Sequence, residues 1–352
     1  MNRTKTIEAL VNPHIISLQA YSSARSEFKG SARIFLDANE NALSSPYNRY
    51  PDPLQGNLKK AIATYLKLDA AQIFLGNGSD EAIDLLLRIF CISGQDAIIT
   101  LPPTYGMYEV SATINRVKNI TIPLQENFQP DVEAILAAQN EQTKILFICS
   151  PNNPTGNDIS LVKIEQLIKE FDGIVVVDEA YIHFSAQESC LKWLDTYPNL
   201  VILQTFSKAW GMAGIRLGMA IASPTIVALF NKVKPPYNIN QLTQSFALER
   251  LQNANDLYQT IRTILSERTV LKNALIQLPF VVHVYPSAAN FLLVKVKQAD
   301  ALYRYLVEKG IVVRNRNAVV LCDNCLRITI GSAAENKQLL FNLSNYKKNK
   351  NA

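Results

Sequence analysis

The stretch that decides the fold runs from Ile145 to Tyr181, ILFICSPNNPTGNDISLVKIEQLIKEFDGIVVVDEAY. It opens on the apolar run Ile145 to Cys149 and reaches a second one at Ile174 to Val177. Between them Leu161, Ile164, Leu167, Ile168 and Phe171 recur at three- and four-residue spacing, with Lys163, Glu165 and Lys169 opposite. Short, near-continuous apolar runs have the look of strands covered on both faces. The periodic stretch is an amphipathic crossover helix.

Outward from this unit the pattern repeats. Gln72-Ile73-Phe74-Leu75 reads as a strand, followed by Gly76-Asn77-Gly78-Ser79 and a helix from about Asp80. Ala97 to Thr100, Leu200 to Leu203 and Leu217 to Ile221 are further apolar runs. Such alternation indicates an open α/β domain with a largely parallel sheet. The last third changes character. A long amphipathic stretch (Leu257, Ile261, Ile264, Leu271, Leu275) leads to Val281–Tyr285 and Asn290–Val296, two antiparallel strands turned at Pro286-Ser287. A helix over Asp300 to Gly310 and strands at Val312 and Leu326 to Ile330 complete a smaller α+β domain.

Composition agrees. A chain of 352 residues, 48% hydrophobic and 18% charged, fits roughly two domains with a large core and excludes a disordered chain. No apolar run approaches the ~20 residues of a membrane span, and MNRTKTIEAL lacks an apolar signal core, so a cytoplasmic location is expected. The five cysteines are odd in number and suit a reducing compartment. Cys322-x-x-Cys325 lacks a second pair of ligands and reads as buried small hydrophobes; no metal is expected. The net charge of +5 is diluted over the chain, and Lys347, Lys348 and Lys350 read as a frayed tail. This balance mildly favours anionic small ligands and gives little support for nucleic-acid binding.

Open α/β sheets bind ligands at the carboxyl ends of their strands, and four loops there carry unusual polar groups. Gly76-Asn77-Gly78-Ser79-Asp80-Glu81 could hold phosphate on free amides at a helix start, or be a capped turn. Ser150-Pro151-Asn152-Asn153-Pro154-Thr155-Gly156 could aim an asparagine amide at a ligand, or be a rigid turn. Val175-Val176-Val177-Asp178-Glu179-Ala180-Tyr181 ends an apolar strand on an acid, which is costly there without a cation or strong donors; a helix cap is the plain alternative. Thr205-Phe206-Ser207-Lys208-Ala209-Trp210-Gly211, with Arg216 beyond, suits an amine in a partly desolvated pocket as a Schiff-base former.

In this order and spacing the four loops resemble those of the fold-type I pyridoxal-phosphate aminotransferases. Other segments resemble the histidinol-phosphate aminotransferase subfamily: YSSAR (21–25), LDANEN (36–41), NRYPDP (48–53), PTYGMY (103–108) and LRITIG (326–331). The resemblance implies an N-terminal arm with part of the small domain over 1–35, a large cofactor-binding domain over 36–265 and a small C-terminal domain over 266–352. The long amphipathic helix could bridge the second boundary.

By motif, the resemblance assigns pyridoxal 5'-phosphate as cofactor and Lys208 as the lysine that holds it and then shuttles the substrate proton. Asp178 would pair with the pyridine nitrogen and keep it protonated. Asn153 and Tyr181 would hydrogen-bond the ring oxygen, and Tyr105 would stack on the ring. Ser79, Asp80, Thr205, Ser207 and Arg216 would hold the phosphate, joined by Tyr50 of a neighbouring subunit, which implies a homodimer with shared active sites. Arg327 matches the position that takes a substrate carboxylate. Arg314 and Tyr21 match those that serve the phosphoester of histidinol phosphate, and Asn290 lies near the substrate or an interdomain hinge.

The implied reaction is transamination between L-histidinol phosphate and 2-oxoglutarate, a step of histidine biosynthesis. An aromatic amino-acid aminotransferase and a threonine-phosphate decarboxylase share the same lysine chemistry and are the competing enzymes. A ligand-sensing regulator would need a DNA-binding extension, for which about 35 residues before LDANEN are too few.

Overall fold

The computed structural model describes residues 6–22, 27–28, 30–43 and 45–346. Seven strands form the larger sheet: β1 (Ile73–Asn77), β2 (Ala97–Thr100), β3 (Lys118–Thr121), β4 (Thr143–Cys149), β5 (Ile174–Asp178), β6 (Leu200–Thr205) and β7 (Leu217–Ala222). Their order is β1-β7-β6-β5-β4-β2-β3, and the five strands from β3 to β6 in that order are parallel. Only β7 runs against its neighbours β1 and β6.

Alternation along these strands builds two cores. Leu146, Ile148, Val175, Val177 and Ile202 enter one layer, while Ile145, Phe147, Ile174, Val176 and Val201 enter the other. The crossover helix Leu161–Glu170 buries Ile164, Leu167 and Ile168 on the first face. On the second, the helix Ser79–Phe90 buries Ile83, Leu86, Leu87 and Phe90. Asp80 and Glu81 in its first turn and Arg88 in its last suit the helix dipole.

The smaller sheet is antiparallel throughout, in the order β10-β11-β9-β8: β8 is Val281–Val284, β9 Phe291–Val296, β10 Arg314–Asn315 and β11 Cys325–Thr329. Its core joins Leu292, Val294 and Ile328 to Leu302, Leu306 and Leu339 of the helices Ala299–Glu308 and Ala333–Asn345. The helix Ala254–Ile276 carries Leu257 and Ile261 into the large-sheet core, and Leu271 and Leu275 into this one. A boundary at residue 265 therefore falls inside a continuous helix. Arg268 of that helix donates to the Ala289 carbonyl at 2.8 Å, and Ala288 N–H donates to the Gly156 carbonyl at 2.6 Å, so the small sheet abuts the loop after β4.

One expectation is corrected. Val312 is exposed and lies before β10, which starts at Arg314 where the ladder to Arg327 begins. Strand β3 adds an edge strand whose polar, partly exposed sequence KNIT carries no apolar run. In the arm, Ile7, Leu10 and Val11 pack with the helix Ser79–Phe90, and Asn12 N–H donates to the Ile89 carbonyl at 2.8 Å. This part of 1–35 packs on the large domain, where that helix covers its apolar side chains. Ser23 to Arg25 and the lysine tail lie outside the described residues.

Candidate active site

The register pairs Cys149 with Asp178 and Asp178 with Leu203, which brings the carboxyl ends of β4, β5 and β6 to one edge. Asp178 is buried there. Its Oδ2 accepts from the Tyr108 hydroxyl at 2.7 Å, and its Oδ1 accepts from Ala180 N–H at 3.1 Å. Burial raises the carboxyl's pKa, and these two donors pull it part of the way back. Tyr108, itself fully buried, is held by stacking on Phe147 at 4.6 Å.

Lys208 follows β6. Its Nζ lies 5.6 Å from the centroid of the Tyr181 ring, and no ion pair engages it among the described residues. Desolvation lowers its pKa, helped by the Arg327 charge and opposed by Asp178 and Asp80. The Tyr181 phenol is pushed up, chiefly by burial.

The loop after β4 is braced from within. Asn152 Nδ2 donates to the Pro103 carbonyl at 2.8 Å and to Thr155 Oγ1 at 2.6 Å, and Gly156 N–H donates to the Asn152 carbonyl at 2.8 Å. Its neighbour Asn153 accepts from Arg327 through Oδ1, which leaves the amide nitrogen for the cavity.

At the opposite end, Gly78 takes a φ of 72°, and a Cβ there would sit 2.8 Å from Arg216 Nη2. A Cβ on Gly218 of β7 would collide with the Ser79 amide nitrogen. These two glycines let the arginine and the start of the helix Ser79–Phe90 close to a few ångströms. The first-turn amides of that helix have no partner within it, and Arg216 pairs loosely with Asp80 at 3.5 Å. The Tyr105 hydroxyl donates to Asp80 Oδ1 at 3.0 Å.

One cavity of about 710 Å³ collects these groups between the two sheets. Lys208, Arg216, Arg314, Arg316 and Arg327 line it against Asp80 and Asp178, an excess of positive charge that calls for anionic ligands. It gathers Ser79, Asp80, Tyr105, Asn153, Asp178, Tyr181, Thr205, Ser207, Lys208, Arg216, Arg314 and Arg327, all expected from the sequence. It does not gather Tyr50, Tyr21 or Asn290. Tyr50 is 53% exposed and stacks on Tyr237 with centroids 4.5 Å apart, beside a second cavity. Tyr21 is 72% exposed, and the Asn290 carbonyl accepts from Ile330 N–H at 2.9 Å. Tyr108 and Arg316 were missed. Arg316 stands two residues from Arg314, an offset that strand alternation could have flagged.

The family model described as aminotransferase class I and II matches residues 21–343. The chain belongs to this family. It is 55% identical to the histidinol-phosphate aminotransferase of Parabacteroides distasonis, over 97% of this chain and 99% of that one. Identity to the Bacteroides fragilis (strain YCH46) enzyme of the same name is 51%, with the same coverage. The solved histidinol-phosphate aminotransferase from Clostridium acetobutylicum superposes with a TM-score of 0.79 at 29% identity, covering 86% of this chain and 92% of that one.

This aminotransferase uses pyridoxal phosphate, and its residues fit that cofactor. The buried Asp178 carboxylate can accept a hydrogen bond from a pyridinium N–H, and the glycine-lined helix start beside Arg216 can take a phosphate. Lys208, with its lowered proton affinity, lines the same cavity.

Proposed function

We propose that the chain transfers the amino group of L-histidinol phosphate to 2-oxoglutarate, giving imidazole acetol phosphate and L-glutamate, as a cytoplasmic homodimer with shared active sites. One observation carries the reading: Lys208 and Asp178 line one cavity with Arg216, which stands at the start of the helix Ser79–Phe90, and with Arg314 and Arg327 of the small sheet. Two anions of the ligand set, the cofactor phosphate and the donor's phosphoester, match these two cationic groups. The second half-reaction brings an α-carboxylate to Arg327, whose planar fork binds it bidentately.

Pyridoxal phosphate, when bound, supplies an aldehyde that captures amines and a ring that accepts electrons. The chain's own residues do the rest. Asp178 holds the proton on the ring nitrogen, and Tyr108 fixes the carboxylate that does so. Lys208 Nζ would take the proton from the substrate α-carbon and pass it to the cofactor's C4′ carbon; desolvation favours the neutral amine this needs. Asn153 and Tyr181 would hold the ring oxygen, and Tyr105 would pack on the ring. The amides of Ser79 and Asp80, with Thr205, Ser207 and Arg216, hold the phosphate against diffusion.

The dimer reading is supported by Tyr50, which lines no part of its own chain's cavity, and by the exposed Leu36, Tyr47 and Leu242. Tyr47 and Leu242 line the second cavity with it. A holoenzyme assay with histidinol phosphate, phenylalanine and threonine phosphate as alternative substrates tests the function. Preference for histidinol phosphate is expected; preference for phenylalanine, or carbon dioxide release from threonine phosphate, contradicts it.

A further inference from the structure

Strands β10 and β11 gather three guanidinium groups on one wall of the cavity. Arg314 and Arg327 are directly opposed in the antiparallel register, and Arg316 lies two residues beyond Arg314, its N–H donating to the Cys325 carbonyl at 2.9 Å. All three line the cavity. Like charges facing each other across a ladder destabilise a sheet. Among the described residues no carboxylate pairs with any of them, and the Arg327 hydrogen bond goes to the neutral Asn153 side chain. Arg316 is the least satisfied: its Nε is fully buried and has no hydrogen-bond partner. Burial lowers its proton affinity, with Arg327 and Arg314 adding to the effect.

A carboxylate presents two oxygens and one charge, which a single guanidinium fork satisfies. A phosphomonoester presents three terminal oxygens and, above its second ionisation near pH 6, close to two charges on one group. An α-carboxylate therefore has no use for a third arginine, whereas a dianionic phosphoester does.

We propose that Arg316 is a specificity-determining residue, which binds the phosphoester of the amino donor and contributes far less to the α-carboxylate of the second substrate pair. This rests on the phosphoester donor proposed above. The uncompensated charge of Arg314, Arg316 and Arg327 on this lining is what such a ligand neutralises on binding.

The test uses holoenzyme carrying Arg316→Gln, which keeps a polar side chain and loses the charge, and Arg316→Lys, which keeps the charge and loses the fork. Loss of one charge-assisted contact corresponds to about a ten- to hundredfold change. The KM for histidinol phosphate should rise in Arg316→Gln by that factor relative to any change in the KM for glutamate, with the loss in KM and not in kcat. Wild-type KM should fall as pH rises through about 6, where the phosphoester gains its second charge. That fall should flatten in Arg316→Gln and partly return in Arg316→Lys. Equal effects on both substrates, or an unchanged pH profile, overturn the inference alone. A wild-type enzyme that does not turn over histidinol phosphate overturns the donor assignment as well.

Discussion

The Tyr108 hydroxyl donates to Asp178 Oδ2 at 2.7 Å across 70 residues of sequence, with both side chains buried. The bond stabilises the charged carboxylate, and burial works against it. In Tyr108→Phe the carboxyl's proton affinity rises further, and it draws the proton from the ring nitrogen it should protonate. A hydrogen bond to a charged group contributes about 1.5–3 kcal/mol, so kcat is expected to fall roughly tenfold or more, with KM changing less. Steady-state kinetics check this; wild-type kcat in Tyr108→Phe would show the bond to be idle.

If Tyr50 serves the neighbouring cavity, two crippled chains can repair each other. A mixed dimer of Lys208→Ala and Tyr50→Phe contains one site lacking both groups and one with Lys208 and Tyr50 intact. Cofactor affinity at each lysine-bearing site of Tyr50→Phe homodimers should be about 5- to 150-fold weaker, from roughly 1–3 kcal/mol for a lost donor. Unfolding and refolding the two variants together should restore tight binding in the mixed fraction, read by cofactor titration. A titration identical to that of Tyr50→Phe alone would place Tyr50 in its own subunit's chemistry or outside the site.

Away from the cavity, Lys59 and Lys234 are both buried, and each is pulled from 10.5 to about 8. Burial is the main cause for both; at Lys59 the Lys234 charge adds to it and Asp52 opposes it. Between these two values the unfolded chain holds protons that the folded chain has lost, so stability rises with pH across that window. Lys59→Met removes one contributor. Its Tm at pH 7 should exceed that of the wild type, and its gain between pH 8 and 9.5 should be smaller. Calorimetry over that range decides; an unchanged slope would mean that Lys59 keeps its proton in the fold.

The large domain was legible because buried parallel strands and their crossover helix write themselves into sequence as short apolar runs and a 3.6-residue period; Ile145 to Val177 carries both. The candidate loops followed from position, since Asp178 ends β5 while Asn153 and Lys208 follow the ends of its neighbours β4 and β6. Tyr108 was illegible for the converse reason. It sits inside the helix Met107–Ile114 as one more large side chain, and only the folded chain brings it to Asp178 at the end of β5. Strand β3 was hidden by its edge position, where one partner and partial exposure permit polar residues. Nothing in Ile7 to Val11 says which apolar face will cover it, so its packing with the helix Ser79–Phe90 is visible only in the fold.

The central claim is that one amine, Lys208 Nζ, holds the cofactor. Holoenzyme reduced with borohydride, digested and mapped by mass spectrometry should carry the reduced pyridoxyl phosphate on the peptide containing Lys208 and nowhere else. A label on another lysine, or no label on a protein that still transaminates, would contradict the account.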